Sequence, residues 1–196
     1  FYVFFSSFIL ISLGVYDDIY SVSPYIRLLI QVIAISFIIN AGINISHLYS
    51  QNIYLELNIF GYIFTLLCLI ALINSFNFID GIDGLASTMF TSSFVIMNLY
   101  LYYFNDYNYY NNLFLCIPLV IFLFFNFNFF SKSKMFMGDS GSLLLGFILG
   151  CFMLYSNSNK DIDLNAFVII WFGAYYIYDL LSTSLIRLNE NNKIFI

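Results

Sequence analysis

The residues Asn74 to Ala86, reading N-S-F-N-F-I-D-G-I-D-G-L-A, set two amides, two carboxylates and two glycines between long apolar runs. Asn74, Asn77 and Asp80 are spaced by three, so they share one face if the preceding helix continues through them. Gly81 and Gly84 permit a positive φ or a close approach to a ligand. Asn, Asp and Gly also build ordinary turns, but a turn needs far fewer of them. Two other stretches carry acids: G-V-Y-D-D, with Asp17 and Asp18, and S-K-S-K-M-F-M-G-D-S-G-S, with Asp139 behind Lys132 and Lys134. Carboxylates without matching histidines or cysteines favour a hard divalent cation such as Mg²⁺, which takes one or two carboxylates plus the phosphate oxygens of a substrate. A phosphate-bearing substrate would also account for the lysines. Gly138, Ser140, Gly141 and Ser142 open a helix whose N-terminal amides and dipole favour an anion, and Asp139 taken alone reads equally well as an N-cap.

The elements that must position these groups are helices in lipid. Of the 196 residues 62% are hydrophobic, 22% aromatic and only 9% charged, with a mean hydropathy of +0.89, against about 25% charged in soluble domains. Seven apolar runs can be drawn, over 1–13, 26–45, 58–73, 85–104, 112–130, 141–155 and 164–188. The expected fold is therefore an all-α, polytopic transmembrane helix bundle of about seven helices, forming a single domain over 1–196. The first run reads as ending before Gly14; at about 20 Å it falls short of a hydrocarbon core of roughly 30 Å, so the first helix is expected to be incomplete. Ser142, Gly146 and Gly150 repeat a small residue every four positions, a pattern of close helix packing in lipid. Cys68, Cys116 and Cys151 lie in apolar runs with no paired spacing, and His47 stands alone as an interfacial polar residue. The net charge of −5 and the lack of a basic stripe argue against a nucleic-acid partner.

Alternate connections of such a bundle lie on opposite sides. One side then holds Arg27, Lys132, Lys134, Arg187 and Lys193, the other only Lys160, and the positive-inside rule assigns the first set to the cytoplasm. The same parity brings Asp17, Asp18, Asp80, Asp83 and Asp139 to that face.

G-V-Y-D-D with Arg27 and Gln31 following, N-S-F-N-F-I-D-G-I-D-G-L-A, and F-M-G-D-S-G-S-L-L-L-G resemble, in order and spacing, the motifs of the polyprenyl-phosphate N-acetylhexosamine-1-phosphate transferases, from about Gly14 to Phe195. The resemblance implies a multi-pass enzyme of the cell (inner) membrane. At its cytoplasmic face a polyprenyl phosphate would attack the sugar-linked phosphorus of a UDP-sugar and release UMP, for cell-wall or surface polysaccharide synthesis. It implies Mg²⁺, or Mn²⁺ in its place, with Asp139 and Asp18 as metal ligands. Asp17, Asp18, Asp80 and Asp83 become the catalytic acids, and Asn74, Asn77, Arg27, Lys134 and Ser140 the substrate-binding residues. Its partners would be the prenyl phosphate lipid, the UDP-sugar and the bilayer, with room for a homodimer. Tyr25 stands where relatives place a Lys. Asp179 and Arg187 match an acid and a base of a later helix, but the His-rich segment expected soon after Phe195 is absent, so the chain reads as truncated at both ends.

Three other readings fit less of the sequence. An intramembrane aspartyl protease would use Tyr16-Asp17 and Gly138-Asp139, but it leaves Asp80 and Asp83 unused and meets Phe136 where its motif wants Gly. A CDP-alcohol phosphotransferase would not continue D-G with Leu85-Ala86. A transporter or channel with a carboxylate cation site would place an acid near the bilayer midplane, where only Asp179 qualifies.

Overall fold

A computed structural model describes residues 1–50, 53–104, 112–128, 134–158 and 166–189. Its elements run α1 (Tyr2–Tyr20), α2 (Pro24–Asn40), β1 (His47–Ser50), β2 (Ile53–Glu56), α3 (Asn58–Ile79), α4 (Leu85–Phe104), α5 (Cys116–Asn126), α6 (Gly138–Ser158) and α7 (Ala166–Asn189). The seven apolar runs are the seven helices. Among the described residues α1, α3 and α6 are each long and apolar enough to cross a membrane. Large apolar side chains such as Phe4, Phe8, Phe60 and Trp171 stand exposed on the outer surface, as a lipid-facing surface requires.

Two expectations are corrected. α1 does not stop at Gly14 but runs 19 residues to Tyr20, about 28 Å of helix. Gly14 is a packing contact rather than a stop, because a Cβ there would run into the backbone of Ser140 and Asp139 on α6. The stretch Ser46 to Leu57, read only as a polar connection, contains an antiparallel hairpin pairing His47 with Glu56 and Leu48 with Leu55.

α6 is the axis of the bundle. Ser142 is fully buried, a Cβ on Gly146 would come within 2.7 Å of the Ile73 Cα, and one on Gly150 would meet the Leu69 side chain. The expected small-residue seam therefore lies between α6 and α3. Removing side chains there lets the two backbones approach closely, which is how helices gain van der Waals contact when lipid offers no hydrophobic drive. One apolar cluster, around Phe76, Phe90, Leu149 and Tyr176, ties α3 and α6 to α4 and α7. A second, around Leu10, Ile35, Ile73 and Phe147, ties them to α1 and α2. The C-terminal ends of α1 and α3 and the N-terminal ends of α2 and α6 then meet at one end of the bundle, as parity requires. Lys132, Lys160 and Lys193 lie outside the described residues, as does the side chain of Arg187.

Candidate active site

At that end three helices are joined by a closed ring of side chains. Arg27, in the first turn of α2, donates from Nη2 to Asp139 Oδ2 at 3.1 Å and from Nη1 to Asn77 Oδ1 at 3.1 Å. Asn77, near the end of α3, donates from Nδ2 to Asp139 Oδ1 at 2.8 Å and to Ser142 Oγ at 3.2 Å. Asp139 lies in the first turn of α6, which begins at Gly138. Its carboxylate reaches across to two other helices, so the N-cap alternative does not hold.

The adjacent acids Asp17 and Asp18 have different surroundings. α1 ends at Ser21, whose left-handed conformation (φ 47°) turns the chain into the Ser23-Pro24 start of α2. Asp17 fastens this turn: its Oδ1 accepts the Val22 N–H at 2.6 Å and its Oδ2 pairs with the Arg27 guanidinium, leaving the side chain 3% exposed. Asp18 is exposed, and its Oδ1 accepts the backbone N–H of Asp139 at 2.9 Å. Gly138 makes this approach feasible, since its φ is +68° and a Cβ would sit 2.8 Å from Asp18 Oδ2.

Asp80 caps the C-terminus of α3. Burial, followed by the charges of Asp139, Asp18 and Asp83, raises its carboxyl from 3.8 to about 6. Three acids are thus close enough to Asp80 to oppose its ionisation, an arrangement a bound cation would relieve. Among the described residues no group of three carboxylate, imidazole or thiol side chains encloses a metal position. The donor set still fits Mg²⁺, which binds through one or two carboxylates and completes its shell with water and substrate phosphate; Asp18 and Asp139, joined through one hydrogen bond, are the pair that would hold it.

Lys134 and Asp83 pair with each other instead. Their ion pair is exposed and bridges the α3–α4 connection to the segment before α6, with the Lys134 ammonium 5.1 Å from the Phe136 ring centre. Asn126, at the end of α5, steadies that segment by donating from Nδ2 to Met135 O at 2.7 Å.

Beside the ring a groove of about 520 Å³ has Arg27, Asn77 and Gly81 among its polar and small lining residues and Leu28, Leu67 and Ile70 on its apolar walls. Arg27 Nε is a buried donor with no acceptor among the described residues.

The structure thus brings Asp17, Asp18, Arg27, Asn77 and Asp139 into direct contact and sets Asp80 beside them. It does not bring in every residue expected from the sequence. Asn74 lines the same groove, with its amide bonded to Gln31, and Ser140 places its backbone against Gly14. Asp179 is half-buried on α7, where its carbonyl accepts the hydroxyls of Ser182 and Thr183. Gln31 enters the sequence reading only as part of the first motif, with no role assigned, and Asn126 does not enter it. A lone Gln in an otherwise apolar helix was the available signal for the first; the second gave none beyond its polarity.

The family model for glycosyl transferase family 4 matches residues 1–157, a span containing all three acid motifs. The chain belongs to glycosyl transferase family 4. It is 29% identical over 188 residues to the undecaprenyl-phosphate alpha-N-acetylglucosaminyl 1-phosphate transferase of Yersinia pestis, covering 93% of this chain and 51% of that protein. The enzymes of the same name from Salmonella typhi (30% over 187 residues) and Escherichia coli K12 (28% over 187 residues) match with the same coverage. The chain therefore spans about half the length of the curated relatives it matches. Membership sets aside the protease, CDP-alcohol and channel readings.

Proposed function

We propose that the protein transfers a sugar-1-phosphate, of the N-acetylhexosamine class, from a UDP-sugar to a polyprenyl phosphate at the cytoplasmic face of the cell membrane. A phosphate oxygen of the lipid bonds to the sugar-linked phosphorus, the bond from that phosphorus to the bridging oxygen breaks, and UMP departs with the electron pair. The observation that carries this reading is the Arg27–Asn77–Asp139 ring, whose Arg27 and Asn77 line a groove that Asn74 and Ser184 also border and whose other walls are mainly apolar. A single prenyl phosphate needs that combination. The Arg27 guanidinium that lines the groove supplies positive charge for the lipid phosphate, and Leu28, Leu67 and Ile70 receive the first isoprene units.

Phosphoryl transfer asks for positioning and charge neutralisation more than for covalent help. A phosphate monoester with a second pKa of about 6 is already a competent nucleophile near neutrality, so no strong general base is required. Mg²⁺ bound by Asp139 and Asp18, or Mn²⁺ in its place, would supply charge neutralisation at the diphosphate. Asp17 acts through Arg27, which it orients, while Asp80, Asp83 and Lys134 form the rim that meets the nucleotide. The pairing of relatives with undecaprenyl phosphate in their names supports the lipid, and Arg27 and Lys134 at this end, with the parity of the basic residues in the sequence, support the cytoplasmic face.

The test is to supply membranes holding the protein at its natural length with prenyl phosphate and a panel of UDP-sugars, and to measure UMP. Release that needs both substrates and stops with chelator is expected. UMP formed equally without prenyl phosphate, or release indifferent to chelator, would contradict the reading.

A further inference from the structure

One helical turn deeper than the ring, α2 and α3 are joined by a second polar contact. Gln31 Nε2 donates to Asn74 Oδ1 at 3.3 Å, and Asn74 Nδ2 donates back to Gln31 Oε1 at 2.9 Å. Asn74 Nδ2 also reaches the Ile70 carbonyl at 2.8 Å, so both its amide hydrogens and its carbonyl are engaged within the protein. Gln31 is fully buried. Gln31 follows Arg27 by four residues and Asn74 precedes Asn77 by three, so the two contacts stack along one interface, amide pair below and ring above.

We propose that Gln31 and Asn74 are a positioning pair, a buried amide rung that holds α2 and α3 in one register and so aims Arg27 at Asn77 and Asp139. The proposal rests on the transferase reading for its kinetic consequences but not for its structural one. The physical argument concerns which alternatives the pair excludes. Below the Arg27–Asn77 bond and this pair the α2–α3 contact is aliphatic, with Ile35, Ile38, Leu69 and Ile73 in a shared cluster. Aliphatic surfaces tolerate a slide or a small rotation of one helix against the other. An amide pair does not, because any shift strands a donor and an acceptor with no water to replace the lost partner. A single buried polar pair is known to fix register in helical assemblies in this way, for little or no net stability. Asn74, which also borders the groove, thus takes a positioning role through its amide.

The experiment uses the protein at its natural length in nanodiscs, in three forms: wild type, the double variant Gln31→Leu/Asn74→Leu, and the swapped pair Gln31→Asn/Asn74→Gln, which keeps one short and one long amide. Since both polar partners leave together, the double-leucine variant should insert and melt within about 5 °C of wild type. Its kcat should fall about thirtyfold, as expected for a displacement on the order of 1 Å at the reacting groups, with KM for each substrate within about threefold. The swapped pair should recover kcat to within about fivefold of wild type. A double-leucine variant with wild-type kcat, a loss confined to KM, or a folded swapped pair no better than the double-leucine protein would overturn the proposal. If the double-leucine protein does not fold, the swapped pair decides by the same limits.

A readout independent of activity separates this inference from the transferase reading. Spin labels at the lipid-exposed Leu29 on α2 and Leu67 on α3 should give one narrow distance distribution in wild type and swapped protein, and a broad or shifted one without the pair. An unchanged distribution in the double-leucine protein refutes the register role even if the enzyme is active. A wild type that releases no UMP refutes the transferase reading and leaves the distance result to decide the pair.

Discussion

Two ion-paired regions lie at the same end of the bundle and are built on opposite principles. Arg27 is 18% exposed at its side chain, pairs with Asp17 and Asp139, and bonds Asn77, so one guanidinium ties α1, α2, α3 and α6 together. Lys134 meets a single acid, Asp83, and both are well exposed between two connections. A planar guanidinium with several fixed donors holds a geometry; an ammonium on a flexible stem, in water, holds a charge. Under the proposed function, the difference separates the groups that set where the reaction occurs from those that a phosphate displaces on arrival.

If that division is correct, removing the acids that meet the cation and the ring has the largest effect. Asp139→Asn and Asp18→Asn should each lower kcat for UMP release by about a thousandfold or more, since groups acting as a unit are lost nearly together. Both should insert normally, which a protease-resistance assay on membranes will show. Arg27→Lys keeps the charge but loses the fork, and kcat should fall about a hundredfold. Gly138→Ala tests the approach of Asp18 to the start of α6. An alanine at φ +68°, with its Cβ against the Asp18 carboxylate, should cost about 1–3 kcal/mol of stability and roughly tenfold in kcat, read by thermal melting and UMP release. Lys134→Gln should be the mildest, with kcat within about threefold and an effect on KM that shrinks as salt is raised, as for exposed ion pairs.

Much of the fold was legible because a bilayer demands it: helices and closed barrels alone satisfy the backbone in lipid, and the apolar runs, of helical length, coincide with the seven helices among the described residues. The Ser142, Gly146, Gly150 seam was legible for the same reason. Gly14 was misread because glycine marks both helix ends and close helix contacts, and only the partner's position tells them apart. The hairpin hid in a polar connection whose four-residue strands are too short for a periodic signal to stand out. The acids of the site could be collected from spacing and parity, but not their separate duties. Asp17 and Asp18 are neighbours in sequence and about 100° apart around α1, and only packing shows that the first turns to Arg27 and the second to Asp139. Asn74 matched the spacing of Asn77 and Asp80, yet its amide is taken by Gln31, a residue from a distant stretch that no local pattern links to it.

The central claim is that the buried ring, and not the exposed pair, is the reaction site. The most direct measurement is kcat for prenyl-phosphate-dependent UMP release in Arg27→Lys and Lys134→Gln, compared with wild type in the same membranes at saturating substrates. The account predicts a loss of about a hundredfold for the first and within about threefold for the second; equal losses, or the larger loss at Lys134, would contradict it.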